Sequence, residues 1–205
     1  MPRLLLFVLS LAMLVGACAT TPAAPPPAPL VSEYAPLKVG ASWTYKMRFP
    51  GQNGERTITI IDKKNGYFLD SAGGQFQHTA QGLKDPARFI LRAPLRPGVV
   101  WKAIVSASAV EQYETVSVGE PCQALAGTFS DCVIVKASLR QDAQHTLHIR
   151  FAWAKGIGLV KVTTELETAG KRIPQTEQSL LRYNLSGTGP AKAEAGDKAP
   201  EGWSR

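Results

Sequence analysis

Trp43-Thr44-Tyr45-Lys46-Met47-Arg48-Phe49 alternates large apolar and polar side chains without a break. Successive residues of a strand point to opposite faces, so Trp43, Tyr45, Met47 and Phe49 share one face while Thr44, Lys46 and Arg48 share the other. The stretch is a half-buried β-strand. Pro50-Gly51-Gln52-Asn53-Gly54 follows, rich in residues that preset φ or accept positive values, and Thr57-Ile58-Thr59-Ile60 then alternates again, which makes a hairpin. Lys63-Lys64-Asn65-Gly66 supplies the next turn, because Asn-Gly suits the tight connections that match strand twist.

The period of two persists downstream. It predicts strands near residues 75–80, 89–91, 99–105, 113–118, 132–139, 145–153, 159–167 and 179–185. Asp85-Pro86 starts a single helical turn at most, and no long stretch carries helical periodicity. The fold class is therefore mostly β and mostly antiparallel.

Two segments repeat each other. Pro36-Leu37-Lys38-Val39-Gly40-Ala41-Ser42-Trp43 is echoed by Pro94-Leu95-Arg96-Pro97-Gly98-Val99-Val100-Trp101, both reading P-L-[KR]-x-G-x-x-W. The same offset aligns Thr57-Ile58-Thr59-Ile60 with Thr115-Val116-Ser117-Val118 without a gap, which points to two pseudo-repeated halves. In each copy proline holds an extended entry, glycine permits a sharp turn, and tryptophan opens the next strand. The two tryptophans serve either as equivalent core anchors or as the lining of a ligand groove.

Composition marks the ends of the folded part. Residues 20–29 are almost entirely Pro, Ala and Thr, which favour extended conformations at about 3.1 Å per residue and bury no apolar surface. Residues 18–33 read as a tether, 34–185 as one β-domain, and 186–205, with Gly, Pro, Ala and scattered charges, as a disordered tail. Trp203 in that tail is either a docking residue or a solitary exposed apolar side chain.

Ahead of the tether, Arg3 precedes a short apolar run over residues 4–15. A bilayer span needs roughly 20 apolar residues, so residues 1–17 read as a removable secretory signal. Val15-Gly16-Ala17-Cys18 resembles the lipobox of bacterial lipoproteins. That likeness implies cleavage before Cys18 and attachment of a diacylglycerol, with palmitate-type chains, to its sulfur. An ordinary signal peptide with cysteine at its cleavage site is the alternative. Ala19, standing where inner-membrane lipoproteins often carry aspartate, implies the periplasmic face of the outer membrane.

With Cys18 assigned to lipid, Cys122 and Cys132 remain, an even number in a compartment where disulfides persist. They flank a segment centred on Ala126-Gly127-Thr128, which reads as a turn between strands, so a Cys122–Cys132 bond is expected as a structural staple. A redox or metal pair would normally sit closer, as in C-x-x-C.

The chain carries a formal charge of +7, and removal of residues 1–17 takes one arginine and no acidic residue, leaving +6. Such an excess suits anionic lipid, lipopolysaccharide or acidic glycan, or is simply solvated. Its basic pairs, Lys63-Lys64 and Lys171-Arg172, form no dense stripe, and no nucleic-acid module is present, so DNA and RNA have no support as partners. His145 and His148 lie three apart on a predicted strand and face opposite ways, so they cannot chelate together. Parity places His145 at the core edge and His148 with Arg150 toward solvent, while His78 is isolated. Gly156-Ile157-Gly158 reads as a hairpin turn or bulge, since the third glycine and helix of a dinucleotide site are missing. No G-x-S-x-G, H-E-x-x-H or Walker loop occurs, so no catalytic residue, metal ligand or cofactor is assigned and the chain is not expected to be an enzyme.

Three further segments carry a family likeness: Tyr34-x-Pro36-Leu37-x-x-Gly40-x-x-Trp43-x-Tyr45, Ala126-Gly127-Thr128-Phe129-x-x-Cys132, and Gly156-x-Gly158-Leu159-Val160-Lys161. In order and spacing they resemble bacterial secreted or lipoprotein β-domains of the TapB-like group. The resemblance implies a single curved antiparallel sheet, a half-barrel or flattened barrel built from the two pseudo-repeated halves, and no established activity. Two functions are then expected: a noncatalytic envelope lipoprotein holding lipid, an acyl chain or another apolar ligand on the concave side of its sheet, or a structural or accessory lipoprotein of an envelope protein assembly. The sequence assigns no ligand-binding residue, and the membrane partner is reached through the lipid anchor.

Overall fold

A computed structural model describes residues 27–106 and 109–187. The first half of the chain supplies a short helix α1 (Val31–Tyr34) and strands β1 (Ser42–Phe49), β2 (Gln52–Lys64), β3 (Tyr67–Asp70), β4 (Gln75–Thr79), β5 (Gly82–Lys84) and β6 (Phe89–Arg92). The second half supplies β7 (Val100–Ser106), β8 (Ala109–Ala124), β9 (Gly127–Arg140), β10 (His145–Ala154), β11 (Gly158–Thr168) and β12 (Lys171–Asn184). Among the described residues these strands form one sheet in the order β6-β5-β4-β3-β2-β1-β12-β11-β10-β9-β8-β7. The sheet curls into a nearly closed barrel with one unsealed seam, between β6 and β7.

β1 follows its alternation: Trp43, Tyr45 and Met47 are buried and Arg48 is exposed. Thr44 is buried too, and its hydroxyl hydrogen-bonds that of Thr57 across the hairpin at 2.9 Å. The turn at Asn65-Gly66 has both residues at positive φ, 53° and 81°, the mirror-image geometry that Asn-Gly accepts readily.

The repeat holds at the strand entries. Gly40 and Gly98 have φ of 86° and 81°, and each donates its backbone N–H across to the second strand of its half, Gly40 to Ile60 O and Gly98 to Thr115 O, both at 2.8 Å. Ile60 and Thr115 donate back to Ala41 and Val99 at 2.9 Å. Trp43 and Trp101 are 6% and 5% exposed, and each indole N–H reaches a carbonyl, Ile157 O at 2.7 Å and Phe89 O at 2.9 Å. They are core anchors opening β1 and β7.

The ungapped continuation does not hold. Trp43 faces Ile58 across β1 and β2, whereas Trp101 faces Tyr113 rather than Val116, because the β7–β8 hairpin is shorter. Thr115-Val116-Ser117-Val118 is therefore not the structural counterpart of Thr57-Ile58-Thr59-Ile60.

Two local expectations change. Asp85 builds no helical turn: its carboxylate accepts the backbone N–H groups of Ala87 and Arg88, both at 2.8 Å, a side-chain-closed turn. Helix α1 begins within the stretch read as tether (18–33), and Val31 packs into the core with Tyr34, so the packed part reaches upstream of Tyr34. The Tyr34 hydroxyl donates to Asp131 at 2.6 Å, and Gly156 N donates to Glu33 O at 2.6 Å, which fastens α1 to the β9–β11 side of the barrel.

The β8–β9 hairpin is the longest. β8 shifts register between Thr115 and Ser117, between Val118 and Glu120, and between Glu120 and Cys122. Each such bulge bends its strand. The hairpin tip accordingly lies on β12, with Leu125 N donating to Ser179 Oγ at 3.0 Å and Ala126 N to Leu180 O at 2.7 Å. The Cys122–Cys132 disulfide joins its two strands. β9 is buried on both faces: Val133, Val135 and Ala137 join one core cluster, Cys132 and Ile134 a second.

At the seam, backbone pairing is replaced by side chains. Trp101 of β7 bonds Phe89 O of β6, and Arg88 pairs with Glu111, which is 5% exposed and also accepts the Tyr113 hydroxyl. The Trp101 and Tyr113 rings stack at 5.1 Å behind this junction. The carboxylate is thus paired and hydrogen-bonded, the condition under which a buried charge is tolerated.

Candidate functional site

Two cavities among the described residues differ in kind. Inside the barrel, Trp43, Tyr45, Ile58, Phe76, Leu83 and Trp153 surround a hollow of about 90 Å³. The Tyr45 hydroxyl, whose pKa burial pushes well above the ordinary phenol value, donates to Leu159 O at 2.9 Å. Trp153 Nε1 is buried with no hydrogen-bond partner among the described residues. A hollow of this size admits a few waters, since one needs roughly 10–15 Å³ of such space. Pockets that enclose small-molecule ligands measure roughly 300–1,000 Å³. The hollow on the concave side is lined mostly by apolar side chains and is smaller than that range.

Outside the barrel, a cleft of about 790 Å³ opens over β7–β12. Directly paired residues of a ladder share a face, so the register shows what lines it. One row runs Val100, Glu114, Lys136, Arg150 and Thr163. The next runs Lys102, Gln112, Ser138, His148 and Glu165. Between them in sequence, Trp101, Tyr113 and Ala137 turn the other way into the core. One wall therefore packs on its inner face and presents polar side chains on its outer one.

Ion pairs cross the outer face. Lys136 Nζ lies 2.8 Å from Glu114, and Arg172 lies 3.8 Å from Glu165 and 3.3 Å from Glu167. His148 Nε2 is 2.8 Å from Glu167, and its hydrogen bond, followed by that of Arg172, holds the Glu167 carboxyl below the ordinary range.

Among the residues singled out from sequence, His148 does share a face with Arg150. His145 is half-buried and hydrogen-bonded, its Nδ1 2.7 Å from Asp142 in the loop before β10. His78 Nε2 meets Ala35 O at 2.9 Å, and burial holds its pKa below the ordinary 6.5. Gly156-Ile157-Gly158 forms the turn between β10 and β11. No group of three His, Cys, Asp or Glu among the described residues is placed to hold a metal. Cys18 and Trp203 lie outside the described residues. The cleft residues Lys102, Lys136 and Arg150 escaped the sequence reading as a set, although each occupies the polar parity of its strand.

No family model matches the chain, and no curated protein matches it. Two solved structures are similar to it. A protein from Bacteroides fragilis, inferred to be exported and described as having a YmcC-like fold, shares 15% identity and a TM-score of 0.43 over 73% of this chain and 98% of its own. A protein from Parabacteroides distasonis, inferred to be a lipoprotein, shares 12% identity and a TM-score of 0.40 over 74% of this chain and 98% of its own.

Proposed function

We propose that the chain is a noncatalytic lipoprotein of the cell envelope, anchored through Cys18, and that its outer cleft is the recognition surface. The contrast in cavity size carries this reading: about 790 Å³ outside against about 90 Å³ inside. The outer volume falls in the range of ligand pockets and the inner one does not. The accessory role expected from sequence is compatible with the cleft, whose occupant is then a component of the envelope.

Two measurements test this. Labelling with a fatty-acid probe should mark the wild-type chain and not Cys18→Ala; an unlabelled wild type overturns the anchor. Native mass spectrometry of protein extracted from its own envelope should show an occupant that Ser138→Trp, filling the cleft, releases and Ile58→Phe, filling the hollow, retains. The reverse pattern overturns the cleft as recognition surface.

A further inference from the structure

The charges of the outer face do not cancel. The four glutamates in or beside the cleft rows are all engaged: Glu114 by Lys136, Glu165 and Glu167 by Arg172, and Glu177 by Lys161 at 3.2 Å. Arg150 and Lys102 are exposed and have no carboxylate partner among the described residues. Arg150 also stands directly opposite Lys136 in the β9–β10 ladder, and like charges so placed destabilise a sheet. An anion seated there would relieve that repulsion.

Geometry narrows the class of anion. β7, which carries Lys102, and β10, which carries Arg150, are separated by β8 and β9. Three steps at about 4.8 Å across the sheet, with a two-residue offset of about 6.7 Å along the strand, put the two cations' backbones roughly 16 Å apart. A ligand that carries negative groups at separate points along a chain matches two cations on backbones so spaced. Between the cations stand an amide, Gln112, and a hydroxyl, Ser138, with Thr163 beside Arg150. These groups donate to and accept from alcohols.

Building on the cleft reading, we propose that this surface binds an acidic oligosaccharide, with charged groups against Arg150 and Lys102 and ring hydroxyls against Gln112, Ser138 and Thr163. The full chain, reconstituted in discs of zwitterionic lipid, is titrated calorimetrically with tetragalacturonate, with neutral maltotetraose and with inorganic phosphate. Tetragalacturonate should bind saturably and more weakly as salt rises, and both controls should bind at least tenfold more weakly. Arg150→Glu and Lys102→Glu should each weaken binding tenfold or more, and the milder Arg150→Gln by several-fold, all with wild-type circular dichroism. Lys64→Glu, a charge reversal in a distant turn, should change nothing.

Equal binding of maltotetraose or of phosphate, or equal damage from Lys64→Glu, overturns the proposal. So does absence of tetragalacturonate binding. In that event, release of the native occupant by Ser138→Trp would show that the cleft stands and the saccharide is wrong; no release would bring down the cleft as well.

Discussion

The inner hollow and the outer cleft of this barrel are built by opposite rules. Around the hollow, side chains are large, buried and chosen by fit, and their few polar atoms mostly find backbone partners, as Trp43 does at Ile157 O and Tyr45 at Leu159 O. Over the cleft, side chains are small, charged or long, and two cations stand without carboxylates among the described residues. Residues selected for packing should be costly to change and indifferent to ligand. Those selected for recognition should be cheap to change and decisive for binding.

The largest test of that contrast is at the core anchors. Trp101→Ala should destabilise the protein by about 3–5 kcal/mol, the range for truncating a large core aromatic, and Trp43→Ala by a similar amount. Denaturant unfolding reads both. A loss below about 1 kcal/mol at either site would mean that the repeated entry segments do not anchor their strands.

The disulfide comes next. It closes a loop of about eleven residues, for which chain entropy alone predicts roughly 2.8 kcal/mol of stabilisation. Cys122→Ala should lower the unfolding free energy by about that amount and speed amide exchange at Ala126, whose N–H is held by Leu180 O. Freely alkylated thiols in the exported wild type would contradict the pairing.

A smaller effect belongs to His78. Burial holds its folded pKa below the ordinary 6.5, so below that pH the unfolded chain binds more protons than the folded one. Stability should therefore fall as pH drops through 6.5 and level off below the folded value. His78→Gln should remove that part of the slope in a thermal-melting series; an unchanged slope would place its origin elsewhere.

At the bottom of the scale, Arg150→Ala should shift stability by no more than about 0.5 kcal/mol, as surface substitutions do. A loss comparable to that of Trp101→Ala would make Arg150 a structural residue and erase the contrast between the two faces.

The barrel wall was legible wherever one face of a strand is apolar and the strand is long enough to repeat. β1 and β10 announce themselves through Trp43 to Phe49 and through Leu147, Ile149, Phe151 and Trp153. β3 and β5, with four and three residues, are too short for a period of two to stand out. Helix α1 was hidden because its four residues closely follow a proline- and alanine-rich stretch and are too few to show a helical period; Glu33 caps it locally, and Val31 and Tyr34 secure it by packing. The cleft was hidden for another reason. Parity put Lys102, Gln112, Lys136, Ser138, His148 and Arg150 on the polar sides of their strands, but only register brings those sides together. That register depends on bulges such as those of β8, which no local pattern specifies.

The most direct test of recognition at the cleft is an NMR comparison of the protein with its co-purified envelope component bound and stripped. The account predicts that backbone amides of Ser138 and Arg150 shift between the two states while the indole N–H of Trp153, at the hollow, stays in place. A shift at Trp153 with Ser138 and Arg150 unmoved would contradict it.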